Sequence, residues 1–199
     1  MANTTFSGPV RSEGGFQVVT KSATTGEYST TAVIGGTSLV TAGAGITAGT
    51  DTVYTSSVSR NGGTIVTQIM VDLTGLEGAG TADDIIGVNA AADCHLGQIT
   101  AAVNGTILAV RLTCLEAPAG GNADIDVYSA VESTGTENVA ISTLDETLLV
   151  NGAAQTLGKV TIGAGVPAAD EYLYLTCGTA TDATFTAGKL LIELFGYDA

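Results

Sequence analysis

The chain is poor in basic and in aromatic residues. It has six lysines and arginines but 20 aspartates and glutamates, and its net charge is −14. A protein with this charge repels a polyphosphate backbone. Tryptophan is absent and aromatic residues make up only 5% of the chain, whereas a glycan-binding protein is expected to present exposed aromatic platforms. We therefore expect no nucleic-acid partner, and the composition disfavours a glycan-binding surface.

Long apolar runs and a secretory signal are also missing. Residues 190–195 form the longest apolar run, which is interrupted by Glu193 and is too short to cross a bilayer. Residues 1–5 contain neither the basic nor the apolar region of a signal peptide. We therefore expect that the protein is made in a cytoplasm and stays there or leaves by another route, and that it has no membrane partner.

Cysteine is scarce as well, with three residues in the chain, and an odd number argues against a disulfide framework. The pair Asn104-Gly105 lies between two β-rich runs and predicts a two-residue type I′ hairpin turn. In the resulting register His95 faces Cys114, whereas Cys94 and Cys114 point to opposite faces of the sheet. We therefore expect three reduced thiols.

Threonine, valine, isoleucine and glycine are abundant, and they occur in short runs of strand character separated by turn residues. Helix-period segments of useful length are almost absent. This pattern predicts an all-β protein, an antiparallel β-sandwich of jelly-roll-like order with an extended N-terminal arm. Besides the two hairpin strands, we predict strands at residues 53–58, 65–73, 83–88, 123–131, 147–150, 155–162, 171–177 and 189–197.

The first quarter of the chain differs from the rest. Residues 1–50 contain few large apolar side chains and are rich in Thr, Ser, Gly and Ala, so we expect an extended N-terminal arm or peripheral strands there and a β-sandwich domain at residues 51–199. Residues 142–150 allow two interpretations, because Ser142 and Thr143 carry capping signals for a short helix whereas residues 148–150 favour a strand.

Candidate chemistry is limited. The predicted pairing of His95 with Cys114 is the only histidine-cysteine pair, and a buried histidine held by a backbone group explains it better than catalysis or a zinc site. Asp124 with Asp126, and Glu77 with residues 83–84, are acidic positions that could hold a hard cation such as calcium, but no EF-hand or nonapeptide calcium pattern is present and acidic loop ends are common. The glycine-rich loops have neither dinucleotide nor Walker spacing. We predict no catalytic residue, no metal site and no cofactor.

Several segments carry a resemblance to known proteins. Residues 3–16 (NTTFSGPVRSEGGF) look like the N-terminus of small structural proteins of tailed bacteriophages, especially those of aquatic bacteria. The resemblance continues through residues 71–76 (VDLTGL), 83–87 (DDIIG), 94–99 (CHLGQI), 115–121 (LEAPAGG), 172–175 (YLYL) and 195–197 (FGY).

Such proteins are often capsid decoration or cement proteins. The resemblance implies a β-sandwich subunit, commonly a homotrimer, on the outer surface of a virion head built by a separate major capsid protein. The alternatives are a tail or fibre adhesin that binds host glycans and a small β-sandwich enzyme. Residues 5–16 have too few large apolar side chains to bury their own aromatic residues. We therefore predict that Phe6, Pro9, Arg11 and Phe16 contact the capsid or a neighbouring subunit.

Overall fold

The computed structural model describes residues 16–34, 40–78, 80–180 and 182–198, with the backbone alone for residues 16–20 and 28–34. The described chain contains two helices of one turn each, α1 (Ala44–Thr47) and α2 (Ala101–Asn104), and a 3-10 helix at Ile141–Thr143. No helix in these ranges is long and apolar enough to cross a membrane. The strands are β1 (Phe16–Lys21), β2 (Tyr28–Ile34), β3 (Tyr54–Asn61), β4 (Thr64–Asp72), β5 (Gly97–Ile99), β6 (Thr106–Ala119), β7 (Ile125–Ala130), β8 (Glu146–Val150), β9 (Val160–Ile162), β10 (Glu171–Cys177) and β11 (Ala187–Tyr197).

The strands form two antiparallel sheets. One has seven strands in the order β1-β2-β3-β4-β11-β6-β9, and the other has four in the order β5-β10-β7-β8. From β4 onward the chain passes from one sheet to the other at every connection except the one between β7 and β8. The set β4-β11-β6-β9 facing β5-β10-β7-β8 is the strand order of a jelly roll. The predicted all-β, jelly-roll-like sandwich is confirmed.

Alternation of side chains explains why the sheets pack face to face. In β4 the side chains of Ile65, Thr67, Ile69 and Val71 are buried while Gln68 is exposed, as the period of a strand requires and as the sequence predicted. Apolar side chains from both sheets join in one buried cluster. Burial of this shared surface is the main source of stability.

Strand β11 occupies the centre of the seven-stranded sheet. It pairs with β4 on one side and with β6 on the other along nearly its whole length, and Leu190, Ile192 and Leu194 are fully buried. The strand predicted at residues 189–197 is therefore confirmed, and it is held within the sheet on both sides.

The segment before β3 lies at the periphery of the same sheet. Strands β1 and β2 form an antiparallel pair that joins β3 through two residue pairs only, so this part of the predicted arm consists of peripheral strands. Val40 and Ile46 belong to the same core as the sandwich. The division of the chain at residue 50 stays a prediction as a statement about domains, although residues 40–50 contribute to that core.

The predicted hairpin around Asn104-Gly105 is wrong. Strand β5 pairs with β10, and β6 pairs with β11 and β9, so residues 97–99 and 106–119 lie in different sheets. Gly105 has a positive φ of 69°, but Asn104 belongs to α2 and has no positive φ, which a type I′ turn requires at both positions. The helical turn α2 carries the chain from one sheet to the other.

The structure also decides the secondary structure of three further segments for which strands or a helix were predicted. Residues 83–88 form isolated bridges rather than a continuous strand. Of the run 155–162, only β9 is a strand, because residues 156–159 form a hydrogen-bonded turn closed by Lys159 N–H to Thr156 O at 2.9 Å. Residues 148–150 lie in β8, so the strand interpretation is confirmed there. Ser142 and Thr143 do not start a helix, because they lie inside a 3-10 helix that ends at Thr143 and has no side-chain cap.

Candidate functional site

The predicted contact residues fall largely outside the described chain. Phe6, Pro9 and Arg11 lie outside the described residues, and Phe16 is the first residue of β1, where only the backbone is described. Their predicted contact with the capsid or with a neighbouring subunit therefore stays a prediction.

The structure does not pair His95 with Cys114. The ring of His95 lies 4.8 Å from that of Tyr172 and 6.3 Å from that of Tyr174, whereas Cys114 belongs to β6 and donates to the carbonyl of Glu116. Burial lowers the pKa of His95 and raises the pKa of Cys114, so both groups favour their neutral forms. A thiolate next to an imidazolium, which nucleophilic catalysis needs, is not assembled here.

All three cysteines are free and buried, which agrees with the expected reduced thiols. The reason is different from the predicted one, since the hairpin register on which the expectation rested does not exist. Cys94 donates to the carbonyl of Ala91, and burial raises its pKa to about 11.

Among the acidic residues considered for a cation, the carboxylates of Asp126 and Glu77 already accept hydrogen bonds from other groups of the chain. Asp126 accepts from the Gly152 N–H at 2.6 Å, and both carboxylate oxygens of Glu77 accept side-chain hydrogen bonds, from Asn89 and from Thr184. Within the described ranges, no group of three or more histidine, cysteine or acidic side chains has the arrangement of a metal site.

Charge is divided unequally between the two sheets. The strands of the seven-stranded sheet contain three acidic residues, and each forms an ion pair within that sheet: Glu193 with Arg111, and both Asp72 and Glu116 with Lys189. The strands of the four-stranded sheet contain Asp126, Glu146 and Glu171 and no lysine or arginine. One sheet is therefore nearly neutral and the other acidic.

Many further acidic residues occupy the connections near the four-stranded sheet. Asp83 lies close to Tyr128 and Asp126, and burial together with these carboxylates raises the pKa of Tyr128 to about 12. Burial, and then the neighbouring Asp124 and Asp83, raise the pKa of Asp126. These shifts mark a strongly negative region on this side of the sandwich.

We call the outward side of β3, β4, β11, β6 and β9 the neutral face. Its centre is a row of paired residues in which Gln68, Glu193, Arg111 and Ile162 stand side by side on four neighbouring strands. Glu193 accepts from Gln68 Nε2 at 3.1 Å and from Arg111 Nε at 2.7 Å, and it is only 5% exposed. The carboxylate of this row is thus neutralised and shielded from water.

Apolar side chains flank this central row. On one side Met70, Leu191 and Val160 are aligned through the register of their strands, and on the other side Phe195 lies beneath the guanidinium of Arg111, 5.2 Å from its ring centre. Such a mixture of aliphatic, aromatic and arginine side chains is typical of protein-protein interfaces.

The neutral face ends at the edge strand β9. Val160 is 54% exposed and Ile162 is 65% exposed, and neither is surrounded by carboxylates, because residues 147–169 contain no acidic residue. Beside this edge, a shallow apolar groove of about 230 Å³ runs between Ile107, Val166 and Pro167. Together they form an extended apolar surface, and none of the residues that form β9 or line the groove is acidic.

Neither a scan against protein-family models nor searches of curated proteins and of solved structures finds a match for this chain. The arrangement of the neutral face is therefore known from the geometry alone. The sequence predicted that Arg111 lies in the strand that follows Gly105. It did not predict the partners of Arg111, since Gln68 and Glu193 are brought beside it only by the pairing of β4, β11 and β6.

Proposed function

We propose that this protein is a structural virion protein that decorates and stabilises the outer surface of a phage capsid by bridging major capsid protein subunits, and that it acts as a homotrimer. The proposal starts from the resemblance of its sequence segments to phage structural proteins. The jelly-roll sandwich is compatible with it, because this architecture occurs in viral capsid domains.

The observation that carries the proposal is the unequal distribution of charge. The neutral face has its carboxylates paired and its apolar side chains partly exposed, so it fits a protein surface without an uncompensated buried charge. The acidic side has an excess of carboxylates, and burying them without a cation would be costly in free energy, so they favour contact with water. We therefore propose that the neutral face lies on the capsid and that the acidic side faces solvent.

The stabilising mechanism we propose is linkage. A protein that binds only the assembled, expanded lattice lowers the free energy of that state by mass action, without any chemical step. Stripped heads should accordingly lose resistance to heat and regain it when purified protein is added back.

The test combines location with a matched pair of variants. Cryo-electron microscopy of the virion should show the chain in many copies on the outer capsid surface with β4 and β11 toward the capsid. Thr55 and Thr147 are exposed strand threonines, one in each sheet. Thr55→Glu should reduce the occupancy of stripped heads by about tenfold, since it places a carboxylate against the capsid, and Thr147→Glu should leave occupancy unchanged.

A chain found only at the tail tip would reject the capsid role and favour an adhesin. Equal occupancy by both variants would reject the proposed orientation. Deleting residues 1–15 tests the predicted contact of Phe6, Pro9 and Arg11 separately, because the described sandwich lacks these residues and should still fold. Occupancy as high as that of the full chain would contradict that contact.

A further inference from the structure

The backbone of β9 has an unused edge. Gly163 N–H donates to Val110 O at 2.8 Å and Cys114 N–H donates to Lys159 O at 2.9 Å, so the hydrogen-bonded pairs along β6 and β9 involve residues 159, 161 and 163 of the β9 segment. In an antiparallel ladder the intervening residues point their N–H and C=O groups away from the partner strand. These are Val160 and Ile162, and no described strand lies on their outer side.

This edge is short, with three residues in β9, but it has no charged side chain, proline or bulge that would prevent pairing with another chain. Edge strands are commonly protected by charged side chains, proline, a bulge or a covering loop. Val160 and Ile162 are apolar and more than half exposed, and β9 pairs with β6 without a bulge. Two charges lie nearby, and both are held within the chain: Lys159 Nζ donates to the carbonyls of Gly152 and Ala154 at 2.6 and 2.8 Å, and Arg111 is paired with Glu193.

Charge indicates which partner this edge fits. A basic partner would bind best to a surface rich in carboxylates, which this chain has in excess. A strongly acidic partner requires a contact surface without carboxylates, because like charges repel. A second copy of this chain, with its net charge of −14, is such a partner. The acid-free residues 147–169 offer it a place of approach with little local repulsion.

We propose that a second copy of this chain docks along β9 and pairs a strand with the free backbone groups of Val160 and Ile162. The contact adds main-chain hydrogen bonds to the burial of two exposed apolar side chains, which is the arrangement of β-strand addition. The inference deepens the proposed homotrimer, on which it rests, and it does not depend on the capsid role. The part of the neutral face on β3, β4, β11 and β6 stays free for the capsid, because this contact uses only β9 at its margin.

The test uses two valines that are equally exposed. Val160 and Val131 are each 54% exposed, so Val160→Lys and Val131→Lys add the same charge and remove the same apolar surface. We expect Val160→Lys to weaken self-association by at least about tenfold, measured by light scattering during size exclusion and by sedimentation equilibrium. Val131→Lys should associate like the parent chain.

Amide hydrogen exchange tests the backbone pairing itself. In the associated parent chain the N–H groups of Val160 and Ile162 should exchange slowly, and they should exchange fast in the dissociated Val160→Lys variant. The N–H of Thr161 should exchange slowly in both, since it is paired with Leu112 inside the sheet, and this verifies that the variant is folded. A second variant, Val160→Pro, removes one outward N–H without removing a bond of the β6 ladder, and it should weaken association as well.

Three outcomes would overturn the inference. They are a parent chain that is monomeric at every concentration tested, an oligomer that Val160→Lys and Val131→Lys affect equally, and an oligomer in which Val160 and Ile162 exchange fast. A monomer that still occupies stripped heads would reject this contact and leave the capsid role intact. An oligomer that fails to occupy heads would reject the capsid role alone.

Discussion

Glu193 shows how one residue adapts an open sheet face to contact with another protein. An ionised carboxylate that is 5% exposed is costly unless it is paired and hydrogen-bonded, and Arg111 and Gln68 supply both partners from the two neighbouring strands. The stacked Phe195 helps to fix the guanidinium in place. The face therefore contains a charged pair without presenting a net charge to a partner.

Removing one member of this pair should reveal its role. Arg111→Ala leaves the carboxylate of Glu193 buried without its cation, and we expect a loss of about 2 kcal/mol in the free energy of unfolding, less than for a fully buried pair because Arg111 is partly exposed. The double variant Arg111→Met with Glu193→Leu should recover most of the loss, because it removes both charges. Urea denaturation measures both, and a double variant no more stable than the single one would contradict this account.

At the scale of single elements, α2 explains why the pair Asn104-Gly105 does not form the predicted hairpin turn. Asn104 is completely buried: its side-chain nitrogen donates to Thr67 Oγ1 at 2.8 Å and its side-chain oxygen accepts from the Thr100 N–H at 2.9 Å. The side chain of Thr100 also caps the helical turn. These bonds, one of them to a residue far away in the chain, are worth more than the preference of Asn-Gly for a hairpin turn.

Replacing Asn104 should therefore destabilise the protein through lost side-chain bonds. Asn104→Ala leaves the hydroxyl of Thr67 and the N–H of Thr100 buried without partners, and each such group costs about 1 to 3 kcal/mol. We expect a total loss of about 3 kcal/mol in the free energy of unfolding. The control is Asn151→Ala, at an exposed asparagine, which should be nearly neutral in the same thermal and chemical melts. Equal stability of the two variants would show that the bonds of Asn104 contribute little.

Comparing the predicted strands with the observed ones shows which features of the fold the sequence could predict. The alternation in β4 and the apolar run of β11 follow the local period of a strand, so both were predictable without tertiary information. The break of residues 83–88 into isolated bridges and the row of Gln68, Glu193 and Arg111 depend on which strands become neighbours. No local pattern contains that information, and the candidate surface therefore became visible only in the folded chain.

On the scale of the whole molecule, the separation of neutral and acidic sides governs how copies approach each other. Every copy carries a charge of −14, so encounters are unfavourable over the range of the electrostatic field. Only contacts through acid-free regions escape close repulsion, and the β9 edge is one of them.

Salt should therefore strengthen self-association. Raising the sodium chloride concentration from about 0.15 M to about 1 M shortens the Debye length from about 8 Å to about 3 Å, which screens the repulsion between copies but affects hydrogen bonds and apolar contacts little. We expect association to tighten several-fold in sedimentation equilibrium. Weaker association at high salt would mean that ion pairs, rather than the uncharged β9 edge, hold the copies together.

The central place of β11 also has a consequence for the synthesis of the protein. Strands β4 and β6 lie on either side of β11, so while the ribosome is still translating residues 187–197 they have no common partner, and the backbone edge of each that pairs with β11 remains unpaired. The larger sheet therefore closes only after residues 187–197 have been translated, and the set β1 to β4 stays separate from the pair β6-β9 until then. A chain that ends before residue 187 lacks the strand that joins the two halves of the sheet, so we expect it not to form the sandwich.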